Sequence, residues 1–390
     1  MFVAQLLLQS LSYGSRMRTT ENHYFSTIVS LVLLAVLTSM IVTLLSNNLQ
    51  RDFKRYNKVA TDEEKEEALE EYGWKLVHAD VWRPPSHPLL LSVLLGTGAQ
   101  LLITSIVCLS LGMLGIIQPM HRGKMVIAQL LVYSFSGSFN GYVTAYSYRM
   151  FGGTMWRPAA LAAALGYSGL AFCIFFVASS MANTLESTMR VSFGALVSIL
   201  VLWLFLCAPI TYFFAWVGFF RPQMEFPTKV GPIPRPIPPG PWYTSTPLTL
   251  IMAGIFPFVP CFFEVYDTLC VLWLDAYDPF YAFFFFIGIC ALLLAAELTV
   301  LLTYFQLVRE DYRWWWRSFG TGGAAALYIF GYVVYYHAQH LQAANHLPSW
   351  FLYYGYMLLA CIGLACGAGF VGFMASFFFT RAIFGSVKID

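Results

Sequence analysis

Glu264, Asp267 and Glu297 are carboxyl groups set within long apolar runs. An acid taken out of water costs free energy unless it is protonated, paired or used to bind a cation. Such residues suggest proton or cation handling. Pro257 and Pro260 precede Glu264 closely and would free backbone carbonyls, as broken helices do around an ion site. The structural alternative places Glu264 and Asp267 near the headgroup boundary, serving the fold. His337 and His340 share a helical spacing, with His346 nearby. They could face a metal, but no third ligand is convincing. A pH sensor or plain interfacial polarity are the other readings. The third cluster is EDYRWWWRSF, in which Glu310, Asp311, Arg313 and Arg317 bracket Trp314, Trp315 and Trp316. Indoles beside charges suit the headgroup layer of a bilayer. The arginines could reach lipid phosphates or pair with the two acids, and an aromatic belt with no further role is the plainer alternative. Hydrolase triads, phosphate loops, H-E-x-x-H and dinucleotide fingerprints are not found, so an enzyme has no residues to rest on and no cofactor is expected.

The elements that must position these residues follow from composition. The chain has 390 residues, 58% hydrophobic and 11% charged, against about 25% charged in ordinary globular domains. That excess of apolar surface points to an integral membrane protein. A net charge of +2 gives no reason to expect nucleic acid. The fold class expected is all-α: a polytopic bundle of nine transmembrane helices, over approximately 24–45, 89–117, 125–148, 159–181, 191–220, 247–267, 279–307, 318–340 and 350–380. Each run is long enough to cross as a helix, whereas barrel strands would be half as long and would alternate. The sixth run is the weakest, being interrupted by Pro257, Pro260, Glu264 and Asp267.

Nine crossings put the termini on opposite sides. All but Arg16, Arg18, Arg122, Lys124 and Arg190 of the 22 lysines and arginines fall in the connections 46–88, 149–158, 221–246 and 308–317 or in the tail 381–390. Positive charge favours the cytosol, so these segments are expected there, with residues 1–23 a short lumenal N-terminus. The first cytosolic connection carries TDEEKEEALEE, a solvated acidic run. The connection 221–246 carries FPTKVGPIPRPIPPGPWY. Its prolines exclude regular hydrogen-bonded structure and favour polyproline II, either as a stiff strap on the cytosolic face or as a ligand for an aromatic groove. The eight cysteines lie in or beside apolar runs without metal or disulfide spacing. Gly137–Gly141 and Gly363–Gly367 both read G-x-x-x-G, which lets helix backbones approach closely, for internal packing or to dock another membrane helix.

Four segments carry a resemblance: GWKLVHADVWRPP (Gly73–Pro85), IPRPIPPGPWY (Ile233–Tyr243), TYFQLVREDYRWWWRSF (Thr303–Phe319) and the terminal KID (Lys388–Asp390). In this order they resemble the transmembrane 9 superfamily, the nonaspanins, from about His23 onward. Members of that family look like a signal peptide and a lumenal domain followed by the spans; the stretch before residue 24 here is too short for that domain. The resemblance implies residence in Golgi and endosomal membranes and a part in sorting client membrane proteins. It also implies that Lys388 and Asp390 form a signal read by the coatomer coat. The expected partners are therefore membrane lipids, coatomer and client membrane proteins.

Overall fold

The computed structural model describes residues 20–56, 73–116, 122–184, 192–274, 281–340 and 347–386. Among them all regular structure is helical: α1 Thr20–Tyr56, α2 Pro88–Met113, α3 Arg122–Met150, α4 Trp156–Thr184, α5 Phe193–Leu202, α6 Ala208–Phe220, α7 Thr246–Phe258, α8 Phe262–Leu274, α9 Tyr281–Val308, α10 Trp314–Gly323, α11 Ala325–His340 and α12 Leu347–Ser386. A π-turn at Trp203–Cys207 joins α5 to α6 in one rod.

Among the described residues six segments are long and apolar enough to cross a bilayer: α1, α2, α4, the α5–α6 rod, α9 and α12. The pair α7 and α8, bent by 73° at the break after Phe258, makes a seventh if it is one span. The bend falls at the prolines flagged in the sequence: Pro257 lies inside α7, and Pro260 follows it in the break. On length and composition, six or seven of the nine expected spans are found among the described residues. The two runs that fall short are α3 and α10–α11, and for α3 the reason is physical. Its polar side chains Ser134, Ser136, Asn140, Thr144 and Ser147 are buried. Its composition reads as polar because its polar groups serve the interior.

Those polar groups are joined to their neighbours. Asn140 donates to the Gln100 carbonyl oxygen on α2 and to the backbone carbonyl of Ala163 on α4. Gln100 donates back to the carbonyl of Tyr133, and Thr104 meets Ser136 at 2.7 Å. Away from water, an unpaired group of this kind would be costly, so the network fixes how α2, α3 and α4 pack. Elsewhere hydroxyls bond back to their own helix, as Ser105 does to Leu101 and Ser198 to Gly194. Such side chains can therefore sit in apolar runs without a partner on another helix.

Helix crossings are close. A Cβ on Gly141 would lie 1.9 Å from the Thr211 carbonyl oxygen on α6, so α3 and α6 touch backbone to backbone there. On the other side of the bundle, α10 lies on α12 with Gly322 and Gly323 against the carbonyls of Ala368 and Ala365. Large apolar side chains instead face outward, Phe193, Phe205 and Val126 among them. This inversion is what a hydrocarbon solvent permits.

We expect Gly141→Val to destabilise the detergent-solubilised protein by more than about 1–3 kcal/mol, since rigid backbone cannot yield to the added methyls. Gly331→Ala on α11, with open space around it, should melt like the parent. Equal thermal melting of both variants would contradict the packing.

Candidate functional site: a welded cap on one face of the bundle

Chain segments far apart in sequence meet at one face. The ends of α1, α3, α6, α9 and α12 gather there with the starts of α2, α4, α7 and α10, through contacts such as Asp52 to Trp74 and Tyr304, Phe151 to Trp315, and Arg149 to the carbonyls of Phe219 and Arg221. Over these ends lie the loop 73–87, the strap 221–245 and the turn 309–313.

The loop begins with a 3-10 turn, Trp74–Val77, that buries Trp74 and Val77 completely. Trp74 packs edge-on against Phe384 of α12 with ring centres 5.3 Å apart. The Asp80 carboxylate, almost fully buried, is held by the guanidinium of Arg83 through its Nε and Nη2. Asp80 also accepts the backbone N–H of Arg235 from the strap at 3.1 Å. A buried carboxylate with fewer partners would be strongly destabilising. Arg83 in turn donates to the Gly231 carbonyl, the Gly231 N–H donates to the Ala79 carbonyl at 2.7 Å, and the Thr228 hydroxyl donates to the His78 carbonyl. Trp82 stacks on Phe226 at 4.6 Å. Apart from the short turn Trp242–Thr244, the strap has no regular structure of its own, as its prolines dictate. The loop supplies the bonds it cannot make internally.

The tryptophans close the assembly. The indole N–H groups of Trp314, Trp315 and Trp316 donate to the carbonyls of Val81, Arg83 and Ser86, one after another. Trp314 and Trp315 are 0% and 2% exposed and stack on each other at 4.0 Å, with Phe373 of α12 beside them. The sequence reading set all three rings among headgroups. Two of them are instead shut inside the protein and only Trp316 is partly exposed, because the loop carbonyls satisfy their N–H groups.

The charged residues divide. Glu310 has φ +63°, a left-handed backbone that reverses the chain after α9 at about 1–2 kcal/mol for a residue with a side chain. Arg235 of the strap holds its carboxylate at 2.9 Å. Asp311 accepts from the Gln306 side chain and the Arg313 backbone N–H, and its ion pair with Arg313 is long at 3.6 Å. Arg317 donates to the Thr244 carbonyl and the Thr249 hydroxyl. Burial pulls the Arg317 guanidinium below its usual pKa range; nearby Asp311 opposes that and Arg309 adds to it.

The intramembrane candidates lie elsewhere. Glu264 on α8 is buried and accepts the Ser30 hydroxyl of α1 at 3.2 Å. Glu297 on α9 faces the same helix near Thr38, and its Oε2 is buried without a hydrogen-bond partner. Asp267 is half-buried one turn beyond Glu264. The structure therefore brings Glu264 and Glu297 to one neighbour, α1, but not to each other through any bond shown. His337 and His340 sit in a nest of aromatic rings, His337 against Trp350, Tyr353 and Tyr354, and His340 against Tyr266 and Tyr336. Among the described residues no group of three or more His, Cys, Asp or Glu could hold a metal. Gly137 and Gly141 are occupied by α6. Gly363 and Gly367 border an apolar cavity of about 540 Å³ between α2, α9 and α12. Lys388, Asp390, His346 and the acidic run lie outside the described residues.

Sequence reasoning assigned no role to Asp80, Arg83 or Arg235. The first two were legible as fixed parts of GWKLVHADVWRPP; their partners, some 150 residues away, were not. It also passed over the Ala365–Gly369 and Ala368–Gly372 spacings, which carry the α10 contact in place of Gly363–Gly367.

An all-helical bundle of long apolar helices, lipid-facing on its sides and polar within, defines a multi-pass membrane protein. Comparison with known proteins narrows the class. The family model described as endomembrane protein 70 matches residues 9–346. Transmembrane 9 superfamily member 9 of Arabidopsis thaliana is 38% identical over 374 residues, 96% of this chain and 58% of that protein. Member 4 of Homo sapiens is 33% identical over the same shares, and member 2 of Pongo abelii 36% identical over 95% and 55%. The chain belongs to the transmembrane 9 superfamily. It spans little more than half the length of these relatives. No solved structure matches it.

Asp80→Asn keeps the shape but removes the charge that holds Arg83 and the strap amide. We expect trypsin to cut the solubilised variant after Lys229 about tenfold faster than the parent, the loss of one or two charge-assisted hydrogen bonds. Unchanged cleavage would show that Asp80 does not anchor the strap.

Proposed function

We propose that this chain is a Golgi and endosomal membrane protein that recognises other membrane proteins and helps to localise them. In this reading it crosses the bilayer nine times, with the N-terminus in the lumen and the capped face and tail in the cytosol. The observation that carries the reading is family membership over nearly the whole chain, in company with relatives whose family model is named for the endomembrane system. Two features support the topology. Helix ends and starts alternate at the capped face as nine crossings require, and the basic connections gather there. One feature supports client recognition. The cavity beside Gly363 and Gly367 is lined almost wholly by apolar side chains and glycines, a surface another apolar helix could approach closely. In this reading Lys388 and Asp390 carry the coatomer signal: a basic point charge beside two carboxylates at a free end. Substituting Lys388 by Ser in tagged protein and imaging living cells tests it. Spread of the label from the Golgi to later compartments is expected, and unchanged Golgi residence would refute the signal.

A second reading is an ion or small-molecule transporter working through Glu264, Asp267 and Glu297. The buried, unpartnered Oε2 of Glu297 and the seating of Glu264 on the same helix α1 favour it. Proton or cation flux into proteoliposomes of the purified protein, abolished in Glu264→Gln, would establish transport; absence of flux in the parent would remove it.

A further inference from the structure

The strap also roofs a cleft. Between Ile237–Trp242 above and the ends of α7, α9 and α10 below lies a space of about 940 Å³. Arg309, Arg313 and Arg317 line it, and its floor is apolar, made in part by Met252, Leu302 and Phe305. Two helix N-termini open on the same space. Neither Ser245 before α7 nor Arg313 before α10 provides a side-chain cap. The leading N–H groups of a helix lack intrahelical partners and carry partial positive charge, so both ends favour an anion. Arg317 adds a buried Nε without a hydrogen-bond partner. The two acids of the cleft are already engaged, Glu310 by Arg235 and Asp311 by Gln306 and the Arg313 amide. Three guanidinium groups thus line the cleft beside two carboxylates that are already engaged, Asp311 also pairing with Arg313 at 3.6 Å.

The depth of the cleft identifies the source of the anion. Trp242, 79% exposed, lies at its rim. Met252 and Phe305 of its floor are exposed on the apolar flank, where the bundle's sides meet the cap. A soluble anion has no use for an apolar floor; a lipid needs a cationic pocket above and hydrocarbon contact below. We propose that this cleft binds the phosphorylated headgroup of an anionic membrane lipid, with its acyl chains against Met252 and Phe305. Phosphate oxygens suit forked guanidinium donors and helix N-termini together. The site is independent of the tail signal and of the intramembrane acids.

The test uses the full chain purified in detergent and titrated with a fluorescent short-chain phosphatidylinositol monophosphate. The same lipid lacking the phosphomonoester serves as comparison, and inorganic phosphate as competitor. The parent should bind the phosphorylated lipid about tenfold or more tighter than the plain one. Arg309→Gln/Arg313→Gln should remove about tenfold or more of that affinity while melting like the parent, since both positions are exposed. Arg313→Gln alone gives a smaller loss of the same sign should the double variant melt early. Equal binding of the two lipids, or unchanged affinity in the variants, would overturn the proposal. Displacement of the lipid by inorganic phosphate at matched concentration would overturn the lipid assignment in favour of a free anion.

Discussion

Three consecutive indole N–H groups donating to three carbonyls of one loop hold this molecule's capped face together. Carbonyls in the loop after Trp74 have no helix or sheet to bond with, and buried ones left unpaired would each cost about 1–3 kcal/mol. Trp314, Trp315 and Trp316 supply donors at the first turn of α10, where successive side chains fan around the helix and reach Val81, Arg83 and Ser86 in turn. With the loop pinned, Asp80 and Arg83 are fixed, and the strap can bond to them. With the strap fixed, Arg235 holds Glu310 in its left-handed turn and so returns to the start of α10. The arrangement is closed: each segment satisfies polar groups the next one exposes.

The membrane-buried part obeys a different solvent. Hydrocarbon gives no hydrophobic drive for helices to associate, so close backbone contact and internal hydrogen bonds must do it. Gly141 against Thr211, Gly323 against Ala365 and the Gln100–Asn140 network are the means. The least enclosed spans are the α5–α6 rod, α1 and α4, and α1 is the one that meets Glu264 and Glu297. The polar contacts of the flank thus depend on a helix with little other packing.

What could be read in the sequence follows from how local each interaction is. Long apolar runs declared the helices, and Pro257 and Pro260 declared the break between α7 and α8, because both effects act within a few residues. The proline strap was legible as non-helical for the same reason. The use of Trp314 and Trp315 was not. Their amphipathic rings fit a headgroup layer equally well, and only the fold brings the loop at Val81 across some 230 positions to cover them. α3 misled in the opposite direction: the polarity that lowers its apolar character is turned inward, which composition cannot show. Glycine spacing identified close approach as the packing device, yet in α12 the glycines that touch backbone are Gly369 and Gly372, one turn further along.

Hydrogen–deuterium exchange of the full chain in nanodiscs, read at the strap, tests the welded cap most directly. A proline-rich segment free in water exchanges its few amides at the rate of an unstructured peptide. The Gly231 and Arg235 amides, bonded to the Ala79 carbonyl and the Asp80 carboxylate, should exchange about a hundredfold slower than that, on the order of 3 kcal/mol of local protection. Exchange of both at the unstructured rate, with the helices still protected, would contradict the account.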